Sequence, residues 1–285
     1  KCILFTSGTT GPPKGVIVSD KMLIASAYAT GIACDIKNKD RFLLWESLSH
    51  IGGIEVLILC LMADSRFILL KKFSAKKFWK QIRKYKITKL HYLGGILDIL
   101  IKKKSKKIDR NHKVKLAFGA GSRKETYHEF KERFNIPLRE VYGMTEASSF
   151  TTINFKNKLG SIGRVLPWFK LKIVNKINGI GEIVINQKQK GLFTKGYYKD
   201  NKSSKMLLQK DGLHTGDLGK IDRMGNVFYI GRLKDFVRVK GENISSWEIE
   251  TNLNMHSDIS ESAILSTKAD IGEEDIIALL MLKNN

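Results

Sequence analysis

From Cys2 to about Phe150 short apolar runs alternate with stretches whose apolar residues recur at helical spacing. The runs CILFT, RFLLW, RFILL, KLHYL, KLAFG and LREVYG read as strands, and residues 21–32, 51–62, 74–85, 95–101 and 124–134 read as helices. Such alternation predicts an α/β fold, a largely parallel sheet flanked by helices. In sheets of this kind ligands collect at the carboxyl ends of the strands. After Thr151 the rhythm changes to short strands punctuated by glycine, FKLKIV, GEIVI and GKIDRMGNVFYIG, which predicts a small antiparallel β-rich subdomain. From Gly241 a helix-like SSWEIETNLNM and a strand-like ESAILSTKAD begin something new. The expected organisation is therefore an α/β part over 1–150, a β-rich part over 151–234 and the start of an α+β domain over 235–285. No internal repeat is visible.

Composition narrows the class without changing it. At 285 residues, 42% hydrophobic and 27% charged, the chain reads as an ordinary globular protein. Its longest apolar run, IGGIEVLILCLMA, is too short to span a bilayer and carries Glu55, so it reads as a buried helix. No secretory signal is visible. Cys2, Cys34 and Cys60 are odd in number and lack metal-ligand spacing, which suits buried thiols in a reducing, cytoplasmic setting. The net charge of +22 raises nucleic acid as a partner. Much of the excess lies in KKFSAKKFWKQIRKYK and IKKKSKKIDRNHK, where lysines fill the polar faces of a helix and a short loop, and no nucleic-acid-binding motif accompanies them. A solvated basic surface without a specific nucleic-acid partner is the expectation, since net charge governs solubility and loose binding rather than fold.

The stretch TSGTTGPPKG, at the end of the first strand, carries the most chemistry. Glycines let a backbone approach a ligand, hydroxyls and free N–H groups present donors, and Lys14 adds a full positive charge. Together they suit a polyphosphate. The spacing is not that of a P-loop, because Lys14 is followed by Gly15 and preceded by two prolines.

FTSGTTGPPKG resembles the phosphate-binding signature of the acyl-adenylate-forming superfamily of acyl-CoA synthetases, luciferases and peptide-synthetase adenylation domains. Further segments agree in the family's order: FGAGS with the adenine loop, VYGMTE with the motif after it, GLHTGDLGKID with the ribose motif, and GRLKDFVRVKGENISSWEIE with the hinge and the loop beyond. The long basic helix region, AFGAGS and GENISSWEIE look most like the carnitine/crotonobetaine-CoA ligase group. The resemblance implies attack of a small carboxylic acid on the α-phosphate of ATP with Mg²⁺, release of pyrophosphate, and transfer of the acyl group to CoA. It implies that Thr6, Ser7, Gly8, Thr9, Thr10, Gly11 and Lys14 cradle phosphates, and that Gly119, Ala120, Gly121, Tyr142 and Gly143 receive adenine. Thr145 would meet the α-phosphate, Glu146 would hold Mg²⁺, and Thr145, Glu146 and Lys14 form the catalytic set. Asp217 would accept from the ribose hydroxyls, Arg232 would bind ribose or phosphate, Asp235 marks the hinge, and Lys240 and Gly241, on the loop that follows, would bind a cofactor. His50, Gly94 and Gly95 are implied near the acyl pocket.

Taken singly, these residues have plainer readings. A Thr-Glu pair caps helices, an Asp beside Gly makes a turn, a Gly-Ala-Gly triplet links strand to helix, and a lone His beside an apolar helix packs. The family's tryptophan before the ribose motif is Leu213 here. The resemblance starts at the phosphate loop and ends at LLMLKNN without the family's carboxyl-terminal glycine–lysine motif, which implies a piece of a longer enzyme, weak or inactive alone. A nucleotide-binding protein without ligase activity, and an enzyme passing the acyl group to a carrier protein, remain open. The acid and the oligomeric state are not legible.

Overall fold

The computed structural model describes residues 2–6, 13–233, 236–239, 242–268 and 274–283. Strand β1 (Cys2–Thr6) does not join the main sheet. It pairs antiparallel with β2 (Lys14–Val18) in a separate hairpin, Thr6 opposite Lys14. The alternating pattern placed CILFT first in the parallel series, and the hairpin corrects that. The β-like KGVIV after the loop supplies the partner that a parallel strand would not need.

Helix α1 (Asp20–Cys34) starts at Ser19, whose side chain accepts from the Met22 N–H, and ends at Asp35 in a left-handed conformation, φ 50°. There follow β3 (Arg41–Leu44), α2 (Ile51–Met62), β4 (Arg66–Leu69), α3 (Phe78–Lys84), β5 (Lys89–Leu93), α4 (Gly94–Ile101), β6 (Leu116–Ala120), α5 (Lys124–Phe134), β7 (Leu138–Met144), β8 (Ser149–Ile153) and β9 (Arg164–Val165). The strands form a seven-stranded sheet in the order β4-β3-β5-β6-β7-β8-β9. β3 to β7 run parallel, and β8 and β9 add to the edge antiparallel. The fold is thus α/β with a largely parallel sheet, and α2 and α5 have the bounds that their periodicity predicts. α3 is shorter than the expected 74–85. In one continuous helix Phe73 and Phe78 would point about 140° apart, yet their rings lie 5.7 Å apart in one cluster, so the chain turns at Ser74–Lys77 instead.

Period-two alternation sorts the sheet's two faces. Leu90, Tyr92, Ala117 and Leu138 pack with Phe78 and Ile82 of α3, Leu97 and Leu100 of α4, and Phe130 and Phe134 of α5. Lys89, His91 and Phe118 alternate with them, on the side of α1 and α2. The buried Lys89 ammonium donates to the carbonyls of Cys34 and Asp35 at 2.7 and 2.9 Å, and Arg139 donates to Ala33 at 2.9 Å. α1 has no basic residue in its last turn. The sheet therefore supplies the cations that its carbonyl end favours.

Beyond the sheet come β10 (Phe169–Ile177), β11 (Ile180–Gln187), α6 (Asn201–Leu207), β12 (Leu208–Gln209), β13 (Gly212–Ile221) and β14 (Val227–Arg232). These strands make a five-stranded sheet ordered β10-β11-β13-β12, with β14 on β13. β15 (Phe236–Val239) and β16 (Glu242–Ser245) form a hairpin, α7 (Ser246–Leu253) follows, and β17 (Ile259–Lys268) pairs antiparallel with β18 (Glu274–Leu282). By contacts the chain divides into two compact units, 1–172 with 184–214 and 221–228, and 173–183 with 215–220 and 229–285. In the second unit Glu250 of α7 accepts from the Ile264 N–H at 2.8 Å, tying helix to hairpin. Among the described residues no helix is long and apolar enough to cross a membrane.

The first unit's core centres on Phe134, fully buried and stacked 4.4 Å from Trp79. Phe134→Ala is expected to cost about 3–5 kcal/mol, read as a lower urea midpoint with altered Trp79 emission. An unchanged midpoint would contradict this placement of the core.

Candidate functional site

Thr6 and Lys14 face each other where the hairpin opens, and the Thr6 hydroxyl donates to the Lys14 carbonyl at 3.4 Å. Ser7, Gly8, Thr9, Thr10 and Gly11 lie outside the described residues. The Lys14 ammonium donates to Ser203 Oγ at 2.7 Å and sits 5.1 Å from the Tyr197 ring centre. Residues 194–198 are laced to β2 by three bonds. Tyr198 N–H donates to Gly15 at 2.7 Å, Ile17 N–H to Gly196 at 3.1 Å, and Thr194 Oγ1 to Ile17 at 2.8 Å. The same segment holds the Thr-Glu motif, because the Tyr197 hydroxyl donates to Glu146 Oε1 at 2.7 Å and Thr194 N–H donates to the Glu146 carbonyl at 2.8 Å. Lys14 and Glu146, far apart in sequence, therefore meet on the two sides of one tyrosine.

Thr145 and Glu146 form a buried 3₁₀ turn at the carboxyl end of β7. Gly143 is required there, since a Cβ would lie 1.8 Å from the Ser149 carbonyl oxygen. Tyr142 is buried, and its carbonyl accepts from Thr151 Oγ1 at 3.2 Å. Leu213 packs fully buried with Ala147 and Leu207. Gly119 and Ala120 end the neighbouring β6, and the turn toward α5 begins at Gly121, φ +82°. Gly94 presses against it: a Cβ there would lie 1.7 Å from the Gly121 oxygen. Gly94 thus borders the expected adenine turn, whereas Gly95 faces open space. His50 is exposed and caps α2, its Nδ1 accepting from the Gly52 N–H at 3.3 Å.

The second unit carries Asp217 and Arg232. Asp217, buried in β13, forms an ion pair with Arg232, its Oδ1 lying 2.8 Å from Nε. Its N–H donates to Thr215 Oγ1 at 3.1 Å, and that hydroxyl donates to the Ile183 carbonyl at 2.7 Å. Asp235, Lys240 and Gly241 lie outside the described residues.

A family model for AMP-binding enzymes matches residues 2–198. The chain belongs to the AMP-binding enzyme family. It is 31% identical to the crotonobetaine/carnitine–CoA ligase of Proteus mirabilis (strain HI4320), over 98% of this chain and 56% of that protein. The enzyme of the same name from Escherichia coli O9:H4 (strain HS) is 30% identical over the same shares. The chain spans about half the length of the curated relatives it matches. Among solved structures, ATP-bound MatB from Rhodopseudomonas palustris superposes with a TM-score of 0.87 at 25% identity, over 99% of this chain and 57% of that one. The O-succinylbenzoate Coenzyme A synthetase of Bacillus subtilis in complex with ATP and magnesium gives 0.86 at 26% identity, over 99% and 60%.

Beside His50, this AMP-binding enzyme buries a titratable trio that its motifs do not announce. His91 Nδ1 lies 3.2 Å from Glu46 Oε2, and the imidazole stacks on Phe118, ring centres 5.0 Å apart. Glu55, in α2, is fully buried. Burial opposes charge on Glu46, but the imidazoles of His91 and His50 hold its carboxyl below the usual range. Burial opposes charge on His91 too, yet Glu46 and Glu55 raise its pKa. Burial pushes Glu55 up to about 7. The glycines of SHIGGIE make room: a Cβ on Gly52 would lie 2.0 Å from Glu46 Oε2. Sequence reading missed His91, Glu46, Glu140, Tyr92 and Tyr197. The Gly-Tyr-Tyr run after Lys195 was the one visible signal, for Tyr197.

Glu55 is more readily protonated folded than unfolded, so its contribution to stability is present below about pH 4.5 and is lost as pH rises to about 7. The raised pKa of His91 acts in the same direction as pH rises through its folded value. Glu55→Gln is expected to match the parent near pH 4.5 and to exceed it by about 1–3 kcal/mol at pH 8, measured by urea unfolding across pH. A gap that shrinks with rising pH would contradict the buried, protonated Glu55.

Proposed function

We propose that the protein is an AMP-forming acid–thiol ligase, an ATP-dependent acyl-CoA ligase. It converts a small carboxylic acid to an acyl-adenylate with release of pyrophosphate and then passes the acyl group to CoA. The observation that carries this reading is the shared tyrosine: Tyr197 holds a cation, Lys14, and a buried carboxylate, Glu146, beside the hairpin whose loop has the phosphate-binding composition. Phosphoryl-type transfer of this kind is driven by positioning and charge stabilisation rather than by a strong base.

In this reading Thr6 and Lys14, with Ser7 to Gly11 of the loop, bind the β- and γ-phosphates, and Lys14 stabilises charge as pyrophosphate departs. Thr145 donates to the α-phosphate where the acid's oxygen attacks, and the P–O bond to pyrophosphate breaks as the new P–O bond forms. Gly119, Ala120, Gly121, Tyr142 and Gly143 bound the adenine, while Asp217, acceptor-only when ionised, suits the ribose hydroxyls. The buried Glu146 carboxylate fits Mg²⁺ as one protein ligand among phosphate oxygens and water. No cluster of three or more His, Cys, Asp or Glu among the described residues could hold a metal by itself. Bound Mg²⁺ would screen the triphosphate charge. His50, Gly94 and Gly95 border the acyl group, Asp235 is the hinge between half-reactions, and Lys240 and Gly241 lie toward the CoA side. The named relatives make carnitine and crotonobetaine the first acids to test. The free cysteines Cys2, Cys34 and Cys60 suit a cytoplasmic protein.

The test is acid-dependent ATP–pyrophosphate exchange by the full-length protein over a panel of acids that includes carnitine and crotonobetaine. Lys14→Ala should slow exchange by about ten- to a thousandfold. Asp217→Ala should mainly weaken ATP binding. Exchange that ignores Lys14→Ala, or occurs without any acid, would overturn the proposal.

A further inference from the structure

Glu140 of β7 does not occur among the residues that the resemblance assigns, yet it holds the turn on which those residues lie. Its Oε1 accepts from two successive backbone amides, Gly121 at 2.5 Å and Ser122 at 3.2 Å. Its Oε2 accepts from two hydroxyls, Ser122 Oγ at 2.5 Å and Tyr92 at 2.6 Å. Only a carboxylate can accept four such bonds, because an amide offers one oxygen and two donors of its own. Burial raises the Glu140 pKa, and the bonds from Ser122, Tyr92 and Gly121 work against that shift. On the other side Gly94 contacts the Gly121 carbonyl at a distance no side chain would permit, so the turn is clamped between β7 and the start of α4. Gly121 itself is exposed. The clamp therefore fixes a turn that a ligand can reach.

We propose that Glu140 is a positioning and specificity-determining residue of the nucleobase site: it fixes the end of β6 and the turn that follows, over 119–122, and withdraws two amide donors that would otherwise face the base. This rests on the reading that the turn receives a purine. Two successive free amides form a concavity that attracts acceptors. With both committed to Glu140, a 6-amino purine, which presents a donor, is favoured over a 6-oxo purine, which presents an acceptor. Tyr92 and Ser122 act through the same carboxylate.

The experiment measures Kd by calorimetry for ATP, GTP and inorganic tripolyphosphate in the full-length protein and in Glu140→Ala, Glu140→Gln, Ser122→Ala and Tyr92→Phe. Tripolyphosphate has no base, so its Kd reports whether the fold and the phosphate site survive. The parent should prefer ATP. Glu140→Ala should weaken ATP by about ten- to a hundredfold, narrow the ATP-to-GTP ratio and leave tripolyphosphate unchanged. Glu140→Gln should fall between the two, and Ser122→Ala and Tyr92→Phe should each give a smaller loss of the same kind. These two remove one hydroxyl and keep the test decisive if Glu140→Ala does not fold. A parent that binds ATP no better than tripolyphosphate would overturn the nucleotide reading and this inference with it. A parent that prefers ATP, with variants that keep its ATP affinity and its ATP-to-GTP ratio, would overturn the role of Glu140 alone.

Discussion

The hydroxyl of Tyr197 donates to Glu146, its ring lies beneath the Lys14 ammonium, and the backbone around it is sewn to β2. Two oppositely charged groups from distant parts of the chain are thereby tied to one tyrosine. That arrangement suits a site for a polyanion and its cation. A lysine suits phosphate oxygens, and a carboxylate is a ligand that a hard metal favours. It also makes the site depend on segment 194–198 as much as on the loop itself. A change that loosened that segment from β2 would separate Lys14 from Glu146 without touching either.

A second constraint is the cost of polar groups inside the sheet. Lys89, His91, Glu46, Glu55 and Glu140 all lie within or against a parallel sheet whose neighbouring positions are apolar. All but Glu55 have a structural use. Lys89 closes the carboxyl end of α1, His91 and Glu46 sit against the glycines that begin α2, and Glu140 holds the turn after β6. Buried polar networks of this sort contribute little net stability and much positional definition. The parts they define, the starts of α2 and α5 and the turn between β6 and α5, lie at the carboxyl ends of strands, where ligands of open α/β sheets bind.

The sheet was legible because apolar runs and helical periodicity alternate clearly, and α2 and α5 could be bounded from their apolar spacing alone. The hairpin of β1 and β2 was not, since its pairing depends on the chain reversing across a glycine-rich loop and nothing in CILFT distinguishes a hairpin strand from a sheet strand. The break before α3 has no local sign, because two aromatics five residues apart satisfy one cluster only if the helix starts late. Motif residues such as Lys14, Glu146 and Asp217 were visible as ordered local strings. Tyr197, Glu140 and His91 were not, because each acquires its meaning from partners on other elements. A tyrosine in a loop and a histidine in an apolar strand carry no local sign of the carboxylate they will meet.

The central claim is that Tyr197 presents Glu146 to the metal while leaving Lys14 in place, and Tyr197→Phe separates the two roles because it deletes the hydroxyl and keeps the ring. The decisive measurement is the Mg²⁺ dependence of acid-driven ATP–pyrophosphate exchange in the full-length protein carrying Tyr197→Phe, set beside Glu146→Gln. The account predicts that both variants need more Mg²⁺ for half-maximal exchange, by about three- to thirtyfold, and that the tyrosine variant recovers parental rates when Mg²⁺ is saturating. A Tyr197→Phe enzyme with the parent's Mg²⁺ requirement would contradict it.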